Sequence, residues 1–178
     1  MSVVACKIME NGYEIAADSI TVRGITQTKG QTDHVKLYEA NEMVIGGVGT
    51  AEENSLMRLF AETHRPSAAD EYSLLEFISE FVEWKKRKTD NNASIKNSFL
   101  IGYQGSVFTV EQWHVHRVNS YMAIGAGMSY ALAALYLGHS AERAVETAIE
   151  LSTMCEAPII VIEKTNKEKK TTEKQKKS

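Results

Sequence analysis

The sequence predicts an α+β domain in which antiparallel sheets stack and carry helix pairs on their outer faces. Three observations predict it. The first is the order in which hydrophobic periodicity changes along the chain: β-prone runs, two helical runs, β-prone runs, two more helical runs and a closing strand. The second is turn chemistry. Asn11-Gly12, Asn41-Glu42 and Gln104-Gly105 join neighbouring β-prone runs by tight connections, which make the paired strands antiparallel. The third is size, since 178 residues at 43% hydrophobic composition supply one substantial core and are too short for two comfortable ones.

Taken in order, residues 2–8 (SVVACKI) and 13–18 (YEIAAD) read as a hairpin about Asn11-Gly12. A polar stretch, TQTKGQTD, separates them from two further strands, HVKLYEA and MVIGGVG, so four strands fill the first fifty residues. The period then changes. TAEENSLMRLFAETH places Leu56, Leu59 and Phe60 at three-to-four spacing behind Thr50, a capping-box residue with Glu53 three positions on. Ser67 or Ser73 opens a second helix through LLEFISEFVEWKKRK, whose basic end suits a helix C-terminus. NSFLIGY and SVFTVEQW return to strand, and GMSYALAALYLG and SAERAVETAIELSTM follow as helices, with Gly138 as a C-terminal stop and Ser140 as N-cap. APIIVIE closes the domain as a strand. Residues 1–163 therefore form one domain.

Residues 164–178 differ in kind. KTNKEKKTTEKQKKS holds seven lysines and two glutamates with nothing apolar to bury, so it reads as a disordered tail. The rest of the chain is acidic, which argues against a nucleic-acid partner, and Trp84-Lys-Lys-Arg-Lys reads as a solvated helix end. No apolar run reaches membrane-spanning length and the start lacks a secretory pattern, so the expected location is the cytoplasm. Cys6 and Cys155 form neither a disulfide framework nor a zinc motif, and His114 with His116 makes only two ligands; no metal or cofactor is expected.

The chemistry-bearing residues cluster at the start of the chain. If Met1 is removed, Ser2 carries a hydroxyl and a free α-amine on one residue. An α-amine has a reference pKa of about 7.7–8.0, so near neutrality it can take the proton of its own hydroxyl. Asp18 ends the second strand beside the start of the first, and Lys36 begins the third. An ammonium beside the nucleophile favours alkoxide, and a carboxylate holds the ammonium in place. A glycine-ended strand, MVIGGVG, offers the backbone N–H of Gly47 to a developing oxyanion.

These residues resemble, in order and context, the opening of proteasome β-type subunits and HslV-like peptidases, the N-terminal-nucleophile (Ntn) hydrolases. Ser2, Asp18, Lys36 and Gly47 match in SVVACKI, IAADS, VKLYEA and MVIGGVG; AIGAGMSYALAALYLG and SAERAVETAIELS resemble the family's glycine-rich turn and following helices. The resemblance spans residues 2–163. It implies a four-layer αββα sandwich, homo-oligomeric rings, and hydrolysis of polypeptide substrates in a chamber served by an ATPase unfoldase. It also implies a threonine-peptidase mechanism run on serine, with Ile45 and Gly49 flanking the oxyanion glycine and shaping the pocket for the substrate side chain.

The sequence departs from the family at Ala126, which takes a serine's place in Gly-Ala-Gly, at Val22 where threonine is usual, and in STMCEAP, where an acidic residue has no match. Three readings follow: an N-terminal serine peptidase, a catalytically silent, ring-forming subunit of the same fold, and an amidohydrolase acting on small amides with the same machinery.

Overall fold

A computed structural model of the chain describes residues 2–23, 26–28 and 35–165. Strands β1 (Val3–Met9) and β2 (Gly12–Ala17) form the expected hairpin, turning at Glu10-Asn11 with Gly12 already paired to Met9 and not about Asn11-Gly12; β5 (Leu37–Ala40) and β6 (Met43–Val48) form a second, and β7 (Ser98–Tyr103) and β8 (Ser106–Glu111) a third. Asn41 (φ 47°) with Glu42 (φ 69°), and Gln104 (φ 47°) with Gly105 (φ 79°), adopt the left-handed backbone that two-residue hairpin turns require. Helices α1 (Ala51–Ala61) and α2 (Glu71–Lys86) separate the second and third hairpins. Strands β9 (His114–Arg117) and β10 (Tyr121–Gly125), helices α3 (Met128–Tyr136) and α4 (Ala141–Leu151) and strand β11 (Ile160–Thr165) complete the order.

Among the described residues, the first fifty positions hold six strands where four are expected. Thr21–Arg23 (β3) and Thr26–Thr28 (β4) pair as a separate small hairpin, the second of them at the start of the stretch read as a polar connection. Its three-residue strands carry little apolar surface, so periodicity gives no sign of them. His34, expected in the third strand, and Met1 lie outside the described residues, as does the lysine-rich segment from residue 166 onward. The final strand reaches two residues past the expected boundary, pairing Lys164 with Tyr13 and Thr165 with Gly12. The second helix is capped by Asp70, whose carboxylate accepts the Ser73 N–H at 2.8 Å; Ser73 lies inside the first turn.

Two antiparallel sheets form the centre, ordered β10-β1-β2-β11 and β5-β6-β7-β8-β9. Strand alternation sends successive side chains to opposite faces. Val3 and Ala5 turn outward onto α3 and α4, where Ala131, Ala144 and Ala148 allow close packing. Val4, Cys6 and Ile15 turn inward to meet Leu37, Val44 and Leu100 of the other sheet. Met43, Ile45 and Phe99 turn outward again beneath α1 and α2, against Phe60, Phe77 and Phe81. The molecule is the expected αββα sandwich with three apolar layers.

Two glycines key one sheet to the other. A Cβ on Gly46 would lie 2.6 Å from Val4 Cγ1, and one on Gly102 would lie 2.5 Å from the Tyr13 ring. The inner strands also hold the outer helix pair: Glu14 accepts the Ala141 N–H at the start of α4 (2.7 Å), and Lys7 donates to the Gly138 and His139 carbonyls beyond α3. Among the described residues, no helix is long and apolar enough to cross a membrane, and no group of three or more His, Cys, Asp or Glu side chains could hold a metal ion.

Candidate active site

Ser2 immediately precedes β1 and is buried, with 4% of its surface exposed. Because Val3 pairs with Gly125 of β10, Ser2 lies against the turn that links β10 to α3. The Gly127 N–H donates to the Ser2 carbonyl at 3.2 Å. Gly125 has φ +99°, and a Cβ there would run into the same carbonyl, so the turn can follow this path only with glycine.

Asp18 follows β2 and faces the start of β1. Its carboxylate is fully buried and receives four donors. Oδ1 accepts the Val3 N–H at 2.9 Å and Lys36 Nζ at 2.8 Å; Oδ2 accepts the Ile20 N–H at 3.4 Å and the Glu156 N–H at 3.2 Å. This is the pattern a buried carboxylate needs to remain stable, with a paired charge and every lone-pair region used. Lys36 is itself 4% exposed. Burial pulls its pKa below the usual lysine range, and the adjoining Asp18 charge opposes that fall without cancelling it.

A cavity of about 90 Å³ opens beside these groups, lined by Ser2, Ile20, Thr21, Val22, Lys36, Gly49, Ala51 and Asn54. The structure thus brings Ser2, Asp18, Lys36 and Gly49 together. Gly47 and Ile45 it places elsewhere. The Gly47 N–H is already committed to the Lys36 carbonyl at 2.9 Å, and a Cβ on this residue would point at Asn54 and Phe99 beneath α1. Ile45, on the same outward face of β6, is fully buried against the helices and contributes no wall to the cavity.

Strand geometry sets Gly49 apart from Gly47. Amides along a strand alternate between its two edges, so Gly47 and Gly49 aim their N–H groups at the same edge. At Gly47 that edge is occupied by Lys36. One step further β5 has ended, and the Gly49 N–H makes no hydrogen bond among the described residues.

The segment after α4 also reaches the site. Glu156 donates its N–H to Asp18, and its carboxylate accepts from Gln27 Nε2 at 3.3 Å; Cys155 is buried with its Sγ where a Cβ on Gly127 would fall. Burial raises the Cys155 thiol pKa, and the nearby Asp18 charge raises it further. No motif marked either residue, because their proximity depends on how α4 returns the chain to β2. Ala126, at the exposed tip of the Gly-Ala-Gly turn, supplies no hydroxyl.

No family model and no curated protein matches the sequence. Solved structures do. The Thiobacillus denitrificans BPH structure in complex with epoxomicin superposes with TM-score 0.81 at 17% identity, covering 92% of this chain and 98% of that one. Anbu, an ancestral beta-subunit from Yersinia bercovieri, gives TM-score 0.69 at 15% identity over 92% and 82%. Eukaryotic HslV from Trypanosoma brucei gives 0.67 at 17% identity over 90% and 98%.

The chain has the proteasome-type Ntn-hydrolase fold.

In this Ntn-hydrolase fold the candidate residues occupy the interior end of the sandwich, where the two sheets meet. Ser2 and Asp18 belong to one sheet's approach, Lys36 and Gly49 to the other's.

Proposed function

We propose that the chain is a peptidase subunit of a homo-oligomeric, proteasome-type assembly, using Ser2 as nucleophile after removal of Met1. The observation that carries this reading is the fully buried Asp18 carboxylate, which holds the Lys36 ammonium and the Val3 amide at the edge of a cavity that Ser2 lines. In the reaction, Ser2 Oγ attacks the substrate carbonyl while the Ser2 α-amine takes the hydroxyl proton. The Lys36 ammonium favours alkoxide and keeps the α-amine pKa low enough for it to act as a base. The Gly49 N–H receives the oxyanion, beside the positive end of α1. Collapse of the tetrahedral adduct breaks the peptide bond; the Ser2 ammonium protonates the departing amine, leaving an ester on Oγ. Water, deprotonated by the same amine, hydrolyses that ester and regenerates Ser2.

Residues 1–163 are read as the ring-forming domain and the lysine-rich segment as an appendage outside it. An unfolding ATPase is the partner such a chamber needs for folded substrates. The rival reading, a silent subunit, is favoured by Ala126, which leaves the terminal amine without the hydroxyl found in the family's turn.

Intact mass of the protein from its native host, before and after treatment with a peptide epoxyketone, separates the two. A chain lacking Met1 that gains one inhibitor mass at Ser2, and a Ser2→Ala variant that assembles but neither reacts nor hydrolyses peptides, are the expected results. An unprocessed, unreactive chain would establish the silent subunit instead.

A further inference from the structure

The turn after β6 is held by a buried asparagine remote in sequence. Asn97 is 1% exposed and uses both ends of its amide. Oδ1 accepts the Thr50 N–H at 2.7 Å and the Thr50 hydroxyl at 3.2 Å; Nδ2 donates to the Thr50 carbonyl and to Asn54 Oδ1, both at 2.9 Å. Asn54 in turn donates to the Gly47 carbonyl at 3.2 Å. The peptide units on either side of the Val48–Gly49 unit are therefore fixed, while the Gly49 N–H itself is left without a partner among the described residues. Gly49 has φ +132°, and a Cβ there would collide with Asn97, so the turn and the asparagine are shaped to each other.

Asn97 is anchored from behind. Its N–H and that of Lys96 donate to Glu53 Oε2 at 2.7 and 2.8 Å, and Glu53 Oε1 pairs with buried Lys85 at 2.5 Å. Only a side chain with a donor and an acceptor at this reach satisfies Thr50 and Asn54 together; aspartate has no donor and alanine has neither. Helix α1 already has a side-chain cap in Thr50, whose Oγ1 accepts the Glu53 N–H, so the helix start does not itself require this clamp.

We propose that Asn97 is a positioning residue that aims the Gly49 N–H at the oxyanion, acting through the Gly49–Thr50 turn without touching substrate. This rests on the peptidase reading above. A preorganised donor counts because it is already oriented when charge develops, and loss of one such donor typically costs about 10²–10³-fold in rate.

The test compares the wild-type assembly with Asn97→Ala and Asn97→Asp, using steady-state peptide hydrolysis. It also measures binding of a peptide aldehyde, whose hemiacetal oxygen occupies the oxyanion position, against the matching peptide alcohol. For Asn97→Ala, kcat should fall about 10²-fold with KM within about threefold, aldehyde affinity should fall in parallel, and alcohol affinity should hold. Asn97→Asp keeps the volume but sets a carboxylate oxygen against the Thr50 carbonyl and Asn54 Oδ1; its kcat should fall in the same direction, and it decides the matter if the alanine variant does not fold. A folded variant with kcat within threefold of wild type, or equal losses for aldehyde and alcohol, overturns the proposal while leaving the peptidase intact. An inert wild type overturns both.

Discussion

Replacing Asp18 by asparagine keeps the shape of the side chain and removes its charge, which isolates what the carboxylate does. One amide oxygen can still face Val3 N–H and Lys36 Nζ, but the new NH₂ then points at the Ile20 and Glu156 amides, donor against donor. Each buried donor left unmatched costs about 1–3 kcal/mol. Breaking one side of a buried ion pair costs about 3–5 kcal/mol, and the two routes give similar totals. A loss of that size lowers the melting temperature by about 6–20 °C in a domain of this length. The pH dependence is the sharper signature. Because the folded Lys36 pKa is lowered, the unfolded chain binds the extra proton between the folded value and about 10.4. This group's contribution to stability is therefore fully present above about pH 10.4 and is lost as pH falls through the folded pKa. Without the Asp18 charge that folded pKa drops further, so the window widens toward neutrality. Chemical denaturation at several pH values, at fixed protein concentration, should show Asp18→Asn weakest near pH 7 and recovering as pH rises, with Asp18→Asn/Lys36→Met more stable than Asp18→Asn alone. A cost below about 1 kcal/mol at pH 7, or a deficit independent of pH, would refute the reasoning.

Two other outcomes follow from buried groups away from the cavity. Lys85→Met leaves the Glu53 carboxylate without its cation and should lower stability by about 3–5 kcal/mol, with Glu53→Gln added to it restoring part of the loss; thermal melts of the single and double variants read this directly. Burial raises the Cys6 thiol pKa to about 12, so iodoacetamide at pH 8 should leave Cys6 unmodified in the native protein and label it in denaturant, as peptide mass mapping would report.

The layered architecture is legible in the sequence because it rests on local signals. VVACKI alternates between two buried faces, Thr50 and Ser140 cap the helices they precede, and Asn41-Glu42 forms the turn expected between β5 and β6. Asp18 and Lys36 are legible for a similar reason, since hairpin register alone returns Asp18 to the start of β1. Gly47 and Ile45 show where this stops. Gly47 and Gly49 aim their amides at the same edge, and which of the two is left unpaired depends on where the partner strand ends, which the sequence does not display. The β3–β4 hairpin lacks an apolar face to announce it. Asn97 opens a run read as strand and Glu53 reads as a helix-capping residue, and only tertiary pairing reveals that both are buried and bonded to each other.

The notches at Gly46 and Gly102 have a mechanical meaning. Val4 and Tyr13 seat in them like dowels, so neither sheet can slide over its neighbour without a steric clash. Ser2 and Asp18 ride on one plate, Lys36 and Gly49 on the other; the geometry of the candidate site is therefore an alignment between two plates, fixed by joints some distance from the cavity. A side chain introduced at Gly102 would leave every strand ladder able to form, yet it would throw that alignment out of true.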